Sequence, residues 1–591
     1  IGIDGKMTEL AGPEFAGLDR FDARKLVVQK MEELGLLVKI EDYTIQLPLC
    51  DRCGTVIEPL LSEQWFAKQQ EIAEPAMKVV QDGLVNFVPD RYARIYLEWM
   101  GRIQPWCISR QLWWGHRIPV WWTEDGKYSA GRDAADAATR LGVDISAVRQ
   151  DEDVLDTWFS SALWPHATLG WPHKTADLDF WYPTNLLSTA QDIVFLWVAR
   201  MIMTGLDFMG EIPFHDVYVH ATVLDEKGDR MSKSKGNGVD PLVLIAQYGA
   251  DALRFYLLQH AGKNQDIKYR EEGVKLAGQF CNKLWNASRF VMMNLEGTDN
   301  VGAIESTECK RTVPDRWILS RLNATVEEVN SRLATYDMDD AMRAIYFFLW
   351  DEFCDWYLEI VKPRLREESK DRDVAQAVVK HVLETTLRLL HPMTPFITEE
   401  IWHALLGDEV EGKTILLATY PAADTALADP TAEAKLSSVI DTIRAFRNMR
   451  QELGLPIGQK LPAAFVPTNV EGSNTVSTNL ESILHLARLT DLAFHSDPPA
   501  GSGWVGNPVE LGEIFLQIGD ALDVPKELER IEKELASLEG DLVGSDAKLS
   551  NAQFTDKAPA AIVNKEREYN AGMREKQTKL AERRTMLSAI K

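Results

Sequence analysis

The sequence predicts an α/β region, then an all-α region, and finally an antiparallel coiled coil at the C-terminus. Short β-type runs alternate with helical patterns from about residue 49 to 265. Long segments with a 3.6-residue period follow up to about residue 460, and leucine-rich heptad patterns close the chain beyond residue 523. Because 591 residues exceed what one hydrophobic core can hold, we expect several domains.

The amino-acid composition indicates a globular protein. A hydrophobic content of 45% with 26% charged residues is typical of a globular protein. The longest apolar stretch, residues 193–206, is interrupted by Arg200 and is too short to cross a bilayer. Six cysteines make no disulfide framework, which favours a reducing cytoplasm. The net charge of −25 argues against a polyanionic partner, but local basic stripes decide phosphate contacts.

Residue composition and periodicity differ between the helical region and the regions that flank it. Residues 1–48 mix glycine-bearing turns with a helical pattern over 24–37, which is typical of the tail of a domain. Residues 49–265 include a β-type run at 216–224. Residues 461–522 are richer in Gly, Pro and Ser, which indicates a linker or a small appended module. Residues 266–460 carry a stripe wide enough to face a bundle core: Ile345, Phe348, Leu349, Phe353, Trp356, Tyr357 and Ile360.

Residues 523–591 predict two helices joined by a break that contains Gly544 and Pro559. Such a pair forms an antiparallel hairpin coiled coil, although a plain helical hairpin packed on the body is the alternative. The first apolar pattern consists of Leu528, Ile531, Leu535, Leu538 and Leu542. The second consists of Ile562, Tyr569, Met573, Leu580 and Leu587.

The strongest chemical signal is the string Arg-Met-Ser-Lys-Ser-Lys-Gly-Asn at residues 230–237. It follows a β-type run and a turn, and it precedes Asp240-Pro241, a helix N-cap followed by proline at the first helical position. A strand–loop–helix segment with three cations and two hydroxyls can close over a triphosphate and neutralise charge as pyrophosphate leaves. A Lys/Ser-rich loop taken alone is more typical of a solvated surface turn.

The string resembles the KMSKS signature of the class I aminoacyl-tRNA synthetases, with Arg230 in place of the first lysine. The substitution keeps the charge and changes the donor geometry. The resemblance implies an incomplete Rossmann-like catalytic domain in residues 49–265. It also implies that Lys233 contacts the ATP phosphates, with Arg230, Ser232 and Ser234 as the other catalytic residues of the loop.

Further strings resemble the valine branch of this class, and the resemblance spans essentially the whole chain. The isoleucine branch, the nearest alternative, typically lacks the histidine found here at His116. Residues 1–48 resemble the end of an inserted editing domain, 266–460 the stem-contact and anticodon-binding helices, and 523–591 a tRNA-binding coiled coil. The matching strings lie at residues 106–120, 153–165, 188–201, 351–357, 391–402 and 551–559.

The resemblance also assigns the substrate sites. Ile193 and Trp197 are four residues apart, which on an α-helix places them on one face, and Trp158 would approach from another segment. A dry slot of this kind suits a side chain with two methyl groups, although these residues read equally well as ordinary core. Asp192 matches the position that contacts the ATP ribose. His220, which the resemblance places beside the ATP, is followed by Ala221 where the family has glycine, and the added Cβ hinders close backbone approach to adenine.

Cys50 and Cys53 form half of a zinc knuckle, and a structural zinc site needs four ligands. Any Zn²⁺ would therefore need ligands from the full-length protein. The family's His-x-Gly-His motif is missing from this sequence, and no proofreading His-Asp string occurs in residues 1–48. We therefore expect a truncated form of the protein. The remaining cysteines, Cys107, Cys281, Cys309 and Cys354, are isolated and predicted to be structural.

The resemblance implies a monomeric enzyme that activates valine with ATP and Mg²⁺, transfers it to tRNA(Val), and in its complete form edits mischarged threonine. Isoleucine–tRNA ligase activity and a non-catalytic, synthetase-derived tRNA-binding protein are the alternatives. Two basic stripes are predicted to contact tRNA phosphates, against the alternative that they are solvated surfaces. They are Arg444, Arg447 and Arg450 in the helical region, and Arg574, Lys579 and Arg583 in the last helix.

Overall fold

The computed structural model describes most of the chain and divides it into two compact units, residues Ile1–Val219 and His220–Lys591. Described are residues 1–50, 53–232, 235–263, 266–295, 304, 311–366, 370–456, 458–501, 503–518, 524–551 and 560–589. No helix in these ranges has the length and apolar character needed to cross a membrane.

The first unit is an α/β structure built from short elements. Its helices are α1 (Arg20–Glu33), α2 (Gln70–Gln81), α3 (Arg91–Met100), α4 (Ala134–Leu141), α5 (Thr157–Ala162), α6 (Trp164–Ala167), α7 (Ala176–Trp181) and α8 (Ala199–Met209). Its strands are β1 (Phe66–Ala67), β2 (Asn86–Val88), β3 (Trp106–Cys107), β4 (Ser109–Arg110), β5 (Val120–Trp122), β6 (Tyr128–Ala130), β7 (Arg149–Gln150), β8 (Val154–Leu155), β9 (Thr184–Thr189) and β10 (Phe214–Val219).

A parallel sheet in the order β2-β10-β9 forms the centre of this unit. Its apolar face is buried together with helices α2, α3 and α8, and Phe87, Phe214, Val217, Val198 and Ile202 are almost completely inaccessible to solvent. Parallel strands covered by helices are the arrangement that the alternating sequence pattern predicts. This is the Rossmann-like part of the fold.

Two boundaries in the first unit differ from the prediction. Helix α1 begins at Arg20 rather than residue 24, because the Asp19 carboxylate accepts a hydrogen bond from the Phe21 amide and caps the helix. The β-type run at 216–224 is not one strand. It ends at Val219 and resumes as a two-residue strand, β11 (Val223–Leu224), in the second unit.

The second unit is mainly helical and ends in a small sheet and a helix pair. Its helices are α9 (Pro241–Tyr248), α10 (Ala250–Gln259), α11 (Glu271–Leu295), α12 (Val313–Ala334), α13 (Met338–Phe347), α14 (Leu358–Arg366), α15 (Lys370–Leu390), α16 (Pro395–Leu406), α17 (Pro430–Glu452), α18 (Val470–Thr478), α19 (Leu480–Ala487), α20 (Val524–Ser550) and α21 (Ala560–Ala589). Its other strands are β12 (Ile267–Lys268), β13 (Leu461–Pro467), β14 (Leu489–Phe494), β15 (Trp504–Val509) and β16 (Gly512–Gln517).

The predicted apolar stripe over residues 345–360 lies in the bundle core, and each of its seven side chains is buried. A π-helical segment, Phe348–Tyr357, joins α13 to α14 within the stripe. Residues 461–522 were predicted as a linker or a small module, and their four strands form a mixed sheet in the order β14-β13-β16-β15. Helix α17 packs against this sheet and against α19.

The last two helices pack side by side and run antiparallel, because Glu534 pairs with Lys576 whereas Lys548, later in α20, pairs with the earlier Glu566. Gly544 does not break the first helix, which continues to Ser550. Pro559 lies outside the described residues. The apolar seam of α21 also differs from the prediction: Val563 and Asn570 are buried, whereas Ile562 and Tyr569 are more than half exposed.

Candidate functional site

The carboxyl edge of the parallel sheet positions two of the predicted residues. Strands β9 and β10 end level with one another, with Thr189 paired to Val219. A 3₁₀ turn, Gln191–Ile193, follows β9 directly and contains both Asp192 and Ile193. Open parallel sheets bind ligands just outside the carboxyl ends of their strands. Asp192, which is exposed, and Ile193 therefore lie at the edge where this fold binds ligands.

Ile193 and Trp197 are not four residues apart on one α-helix, as the sequence suggested. Ile193 ends the 3₁₀ turn with φ −109° and ψ 10°, and a π-helical turn, Val194–Val198, precedes α8. A π turn is wider than an α turn and is frequent at functional sites. The α-helical periodicity that placed both residues on one face is therefore replaced by a local distortion, which spacing alone does not reveal.

Trp197 is fixed by contacts with the segment that carries Trp158. Its indole Nε1 donates a hydrogen bond to the Ser161 carbonyl at 2.9 Å, and its ring meets Trp164 edge to face at 6.3 Å. Trp158 lies on α5, which packs against the π turn and α8. The three predicted pocket residues, Trp158, Ile193 and Trp197, are all half-buried. The structure thus brings α5, which carries Trp158, into contact with the π turn that carries Trp197.

A buried charged cluster lies beside this pair of elements and was not predicted. The Arg200 guanidinium carbon stands 3.4 Å from the centre of the Trp106 ring, and Nη1 lies 3.6 Å from Asp156 Oδ2. Trp106 Nε1 donates to Asp156 Oδ2 at 2.9 Å, and Arg110 Nη2 lies 3.3 Å from Oδ1. The one sequence signal was Arg200 itself, a lone cation inside the longest apolar stretch.

In the second unit, the signature loop is framed by a turn and a helix. Leu224 bridges to Arg230 across a turn in which the Gly228 amide donates to the Asp225 carbonyl, and Gly228 takes φ 92°. Helix α9 then begins as predicted, because the Asp240 carboxylate accepts from the Leu242 amide and Pro241 occupies the first turn. Lys233 and Ser234 lie outside the described residues.

Asn237 ties the two sides of this loop together. Its amide nitrogen donates to the Arg230 carbonyl at 3.2 Å and to Asp225 Oδ2 at 2.9 Å, and its Oδ1 accepts from the Ser232 amide at 2.9 Å. The hydrogen bond from Asn237 also holds the pKa of the Asp225 carboxyl below its ordinary value. Sequence reasoning quoted Asn237 as part of the string but gave it no role. Its side chain binds the backbone of Arg230 and Ser232, two of the predicted catalytic residues.

His220 opens the second unit with an exposed ring, whose Nδ1 lies 3.0 Å from the Ala221 carbonyl oxygen. Residues 220–222 separate β10 from β11, so this histidine lies on irregular backbone rather than within a strand. Irregular backbone directly after a parallel strand is a common position for ligand-contacting side chains. The predicted role of His220 toward ATP stays a prediction.

Cys50 and Cys53 are the predicted zinc ligands. Cys50 is half-buried, and Cys53 is exposed with its Sγ 3.3 Å from Thr55 Oγ1. Hydrogen bonding, chiefly from Thr55, lowers the pKa of the Cys53 thiol to about 7, which favours the thiolate that binds metals. Within the described ranges, no group of three or more His, Cys, Asp or Glu side chains is arranged to hold a metal ion. The predicted role of Cys50 and Cys53 as two of the four ligands of a zinc ion stays a prediction.

The predicted stripe on α17 divides into different environments. Arg444 is well exposed, with its guanidinium 5.2 Å from the Trp356 ring. Arg447 stacks on the same ring at 5.2 Å and donates to the Leu486 carbonyl. Arg450 is only 6% exposed and donates to the carbonyls of Pro456, Gln459 and Arg488. Arg450 therefore stabilises the fold. Burial lowers the pKa of its guanidinium from the ordinary value.

The second stripe lies on α21. Arg574 binds Asp546 of the facing helix at 2.8 Å and Asn570 at 3.0 Å, so this cation is engaged within the helix pair. The side chains of Lys579 and Arg583 lie outside the described residues. Three further cations of the helix, Lys565, Arg567 and Arg584, are exposed. The contact of this helix with tRNA stays a prediction.

Comparison with known proteins agrees with this layout. Residues 24–270 match the family "tRNA synthetases class I (I, L, M and V)". Residues 315–465 match the "Anticodon-binding domain of tRNA ligase", and residues 523–588 match the "Valyl tRNA synthetase tRNA binding arm". The chain is a homologue of the valine–tRNA ligases of class I.

Individual relatives give the same result over nearly the whole chain. A valine–tRNA ligase of Carboxydothermus hydrogenoformans is 46% identical over 587 residues, which cover 99% of this chain and 66% of the relative. Valine–tRNA ligases of Symbiobacterium thermophilum and Thermotoga maritima are each 43% identical, covering 100% and 96% of this chain and 66% and 64% of the relatives. The chain thus spans slightly less than two thirds of the length of these relatives.

Proposed function

We propose that the full-length protein containing this chain is a valine–tRNA ligase. In this role it activates valine with MgATP, forming valyl-adenylate and pyrophosphate, and then transfers the valyl group to the 3′ end of tRNA(Val). The observation that carries the proposal is the 46% identity to a valine–tRNA ligase over 587 residues. The match to the valyl-specific tRNA-binding arm supports valine over isoleucine as the substrate. A cytoplasmic monomer is part of the same proposal.

In this proposal the signature loop binds and neutralises the triphosphate. Lys233 and Arg230 supply positive charge, and Ser232 and Ser234 supply hydroxyl donors, where negative charge accumulates on the leaving pyrophosphate. The Asn237 hydrogen bonds to Arg230 and Ser232 support this role, because they hold the backbone on the N-terminal side of the loop. Asp192 would bind the ribose, and His220 would lie against the nucleotide.

Trp158, Ile193 and Trp197 would form the pocket for the valine side chain. An apolar pocket rejects larger side chains by exclusion, but it discriminates poorly against an isostere that carries a hydroxyl group. Valine enzymes facing threonine are the established example of this limit, so we expect editing of mischarged threonine by the complete protein. The helix pair α20–α21 would act as the coiled-coil arm that binds tRNA. Zinc bound through Cys50 and Cys53 would require ligands beyond those described here.

Valine-dependent exchange between ATP and pyrophosphate tests the proposal. The full-length protein should catalyse exchange with valine and charge tRNA(Val). The 591-residue chain alone should not, because its sequence has no His-x-Gly-His motif to share the phosphate contacts. Exchange that depends on isoleucine instead of valine would identify an isoleucine enzyme. Binding of tRNA by the full-length protein without any exchange would identify a non-catalytic tRNA-binding protein.

The Lys233→Ala substitution tests the loop. In the full-length protein it should lower the exchange rate by about 10²-fold or more, the scale for losing one preorganised electrostatic partner. Lys227→Ala is a matched control, because Lys227 is an exposed lysine in the turn before the loop. An unchanged rate in Lys233→Ala would remove this residue from the site.

A further inference from the structure

Arg200 is a buried cation on α8, and it lies in the same helical run as the proposed pocket residue Trp197. Its side chain is only 8% exposed. Burial lowers its pKa to about 10, so it still carries a positive charge at neutral pH. The nearest anion is the carboxylate of Asp156, whose side chain is 9% exposed. A charge in this position costs desolvation energy that a hydrophobic residue of similar size would avoid.

The Asp156 carboxylate joins three segments of the first unit. It receives the Trp106 indole N–H at 2.9 Å, it lies within 3.3 Å of Arg110 Nη2, and it faces Arg200. The Asp156 backbone amide also donates to the Ile108 carbonyl at 2.7 Å. The segments that meet here are residues 106–110, the start of α5, and α8.

The geometry indicates a function other than capping or simple stabilisation. Asp156 occupies the N-cap position of α5, yet its side chain makes no capping hydrogen bond and faces Trp106 and Arg200 instead. Nε and Nη1 of Arg200 have no hydrogen-bond partner among the described residues. An incompletely satisfied buried ion pair contributes little net stability, whereas it strongly constrains the relative positions of the elements that carry it.

Both elements held by this cluster carry pocket residues. Trp158 follows Asp156 by two positions on α5, and Trp197 precedes Arg200 by three positions. Two hydrogen bonds join the same elements further along: Trp197 Nε1 donates to the Ser161 carbonyl, and Thr204 Oγ1 donates to the Ala162 carbonyl, both at 2.9 Å. A change in the Arg200–Asp156 distance would therefore change the separation of Trp158 from Trp197.

We propose that Arg200, Asp156 and Trp106 form a positioning cluster that fixes the width of the amino-acid pocket and thereby its selectivity for valine. None of the three is a catalytic residue, since each acts through Trp158, Ile193 and Trp197. The cluster links the pocket to residues 106–110, so those residues also influence the fit of the amino acid. This inference rests on the proposed function and assigns specificity-determining residues to it.

The mildest test is Trp106→Phe in the full-length protein. Phenylalanine keeps an aromatic ring beneath the guanidinium but removes the N–H that holds Asp156. We expect KM for valine in ATP–pyrophosphate exchange to rise about fivefold, the scale of one net hydrogen bond, while kcat and KM for ATP stay within about twofold. Discrimination between valine and isoleucine should fall about tenfold, the lower end for one methylene in an apolar pocket.

Trp122→Phe is the matched control. Trp122 also donates its indole N–H to a carboxylate, Asp151 Oδ2 at 2.9 Å, but it lies on the β5–β6–β7 sheet, which carries no proposed pocket residue. This variant should leave KM for valine and the selectivity ratio unchanged. Equal effects of Trp106→Phe and Trp122→Phe would show a general loss of structure and would overturn the proposal.

Arg200→Gln and Arg200→Lys give a second, independent comparison. Lysine keeps the charge facing Asp156 and should restore most of the valine selectivity that glutamine loses. Should Arg200→Gln fail to fold, Trp106→Phe decides the question. Unchanged valine KM and selectivity in folded Trp106→Phe and Arg200→Gln would overturn the positioning role while the proposed function stands. No valine-dependent exchange by the wild-type protein would overturn both.

Discussion

His166 is a buried histidine of the first unit, and nothing in the proposed chemistry uses it. Its ring is fully buried, and neither ring nitrogen has a hydrogen-bond partner among the described residues. Three aromatic rings surround it edge to face, those of Trp171 at 5.0 Å, Tyr182 at 6.2 Å and Phe208 at 6.3 Å. Burial lowers the pKa of His166 from its ordinary value, because the charged form loses its hydration.

This lowered pKa makes local stability depend on pH. As pH falls below about 6.5, the unfolded chain binds a proton at His166 that the folded chain does not, so folding loses up to about 1.4 kcal/mol per pH unit until the folded pKa is reached. We expect His166→Phe to flatten the loss of stability between about pH 7 and pH 5. Hydrogen exchange of the α6 and α8 amides at each pH measures it.

The control for this prediction is His173→Asn, because His173 lies in the same segment with an exposed ring. That variant should keep the pH dependence of the wild-type protein. Identical pH profiles for wild-type and His166→Phe would mean that the His166 ring titrates as in solvent, through openings of its aromatic enclosure.

At the scale of elements, helix α17 shows how one sequence pattern serves two purposes. Arginines at every third position predicted a single basic face, but the turn after α17 and the end of α19 cover part of that face. Arg450 lies under this cover and donates to three backbone carbonyls, whereas Arg444 stays exposed. Only the exposed end of the stripe is available to a phosphate.

Alanine substitutions should separate the two roles. Arg450→Ala leaves buried carbonyls unsatisfied and should lower stability by about 1.5–3 kcal/mol, the range for hydrogen bonds to charged groups. Arg444→Ala should leave the melting temperature nearly unchanged, weaken tRNA binding, and reduce the slope of log affinity against log salt by about one. Thermal melts and salt-dependent tRNA binding measure these effects. Equal loss of stability in both variants would contradict the division.

The hairpin of α20 and α21 contains a polar layer in an otherwise apolar seam. Asn570 is buried and donates to Asp546 at 2.8 Å, and Arg574 binds the same carboxylate. A polar residue at a core position of a coiled coil fixes the register of the helices at a cost in stability. This layer explains why the observed seam runs through Val563, Asn570 and Met573 rather than through Ile562 and Tyr569.

At the scale of the whole molecule, the chain is acidic, with a net charge of −25, so contacts with a polyanion must come from local basic surfaces. Lys565, Arg567 and Arg584 are exposed cations of α21, on the segment that matches a tRNA-binding arm. Contacts with phosphates depend on salt and carry little sequence information.

Deleting residues 524–591 from the full-length protein should therefore raise KM for tRNA about tenfold and flatten its salt dependence, while valine activation stays within about twofold. A triple variant, Lys565→Gln, Arg567→Gln and Arg584→Gln, is the matched comparison because it keeps the hairpin and removes only charge. It should flatten the salt dependence in the same direction. Equal loss of activation and transfer on deletion would show that the hairpin stabilises the fold instead.

Much of the architecture follows from the sequence, because its signals are local. The start of α9, the seven-residue bundle stripe and the pair of terminal helices depend on caps and on periodicities within one element. The signature string and its strand–loop–helix setting are equally local, and the family resemblance that they suggested is confirmed by relatives 43–46% identical. Such patterns can be predicted from sequence because neighbouring residues specify them.

Tertiary structure alone decided which polar residues are buried and with what. Asp156 precedes α5 in the position of an ordinary N-cap residue. Its carboxylate instead binds Trp106, 50 positions earlier, and Arg200, 44 positions later. The arginine triplet of α17 divides because carbonyls of later residues, Pro456, Gln459 and Arg488, bind Arg450. The π turn after Ile193 changes the spacing on which the pocket prediction depended. Each outcome depends on contacts between distant segments, whose burial and hydrogen bonding no periodicity within one segment encodes.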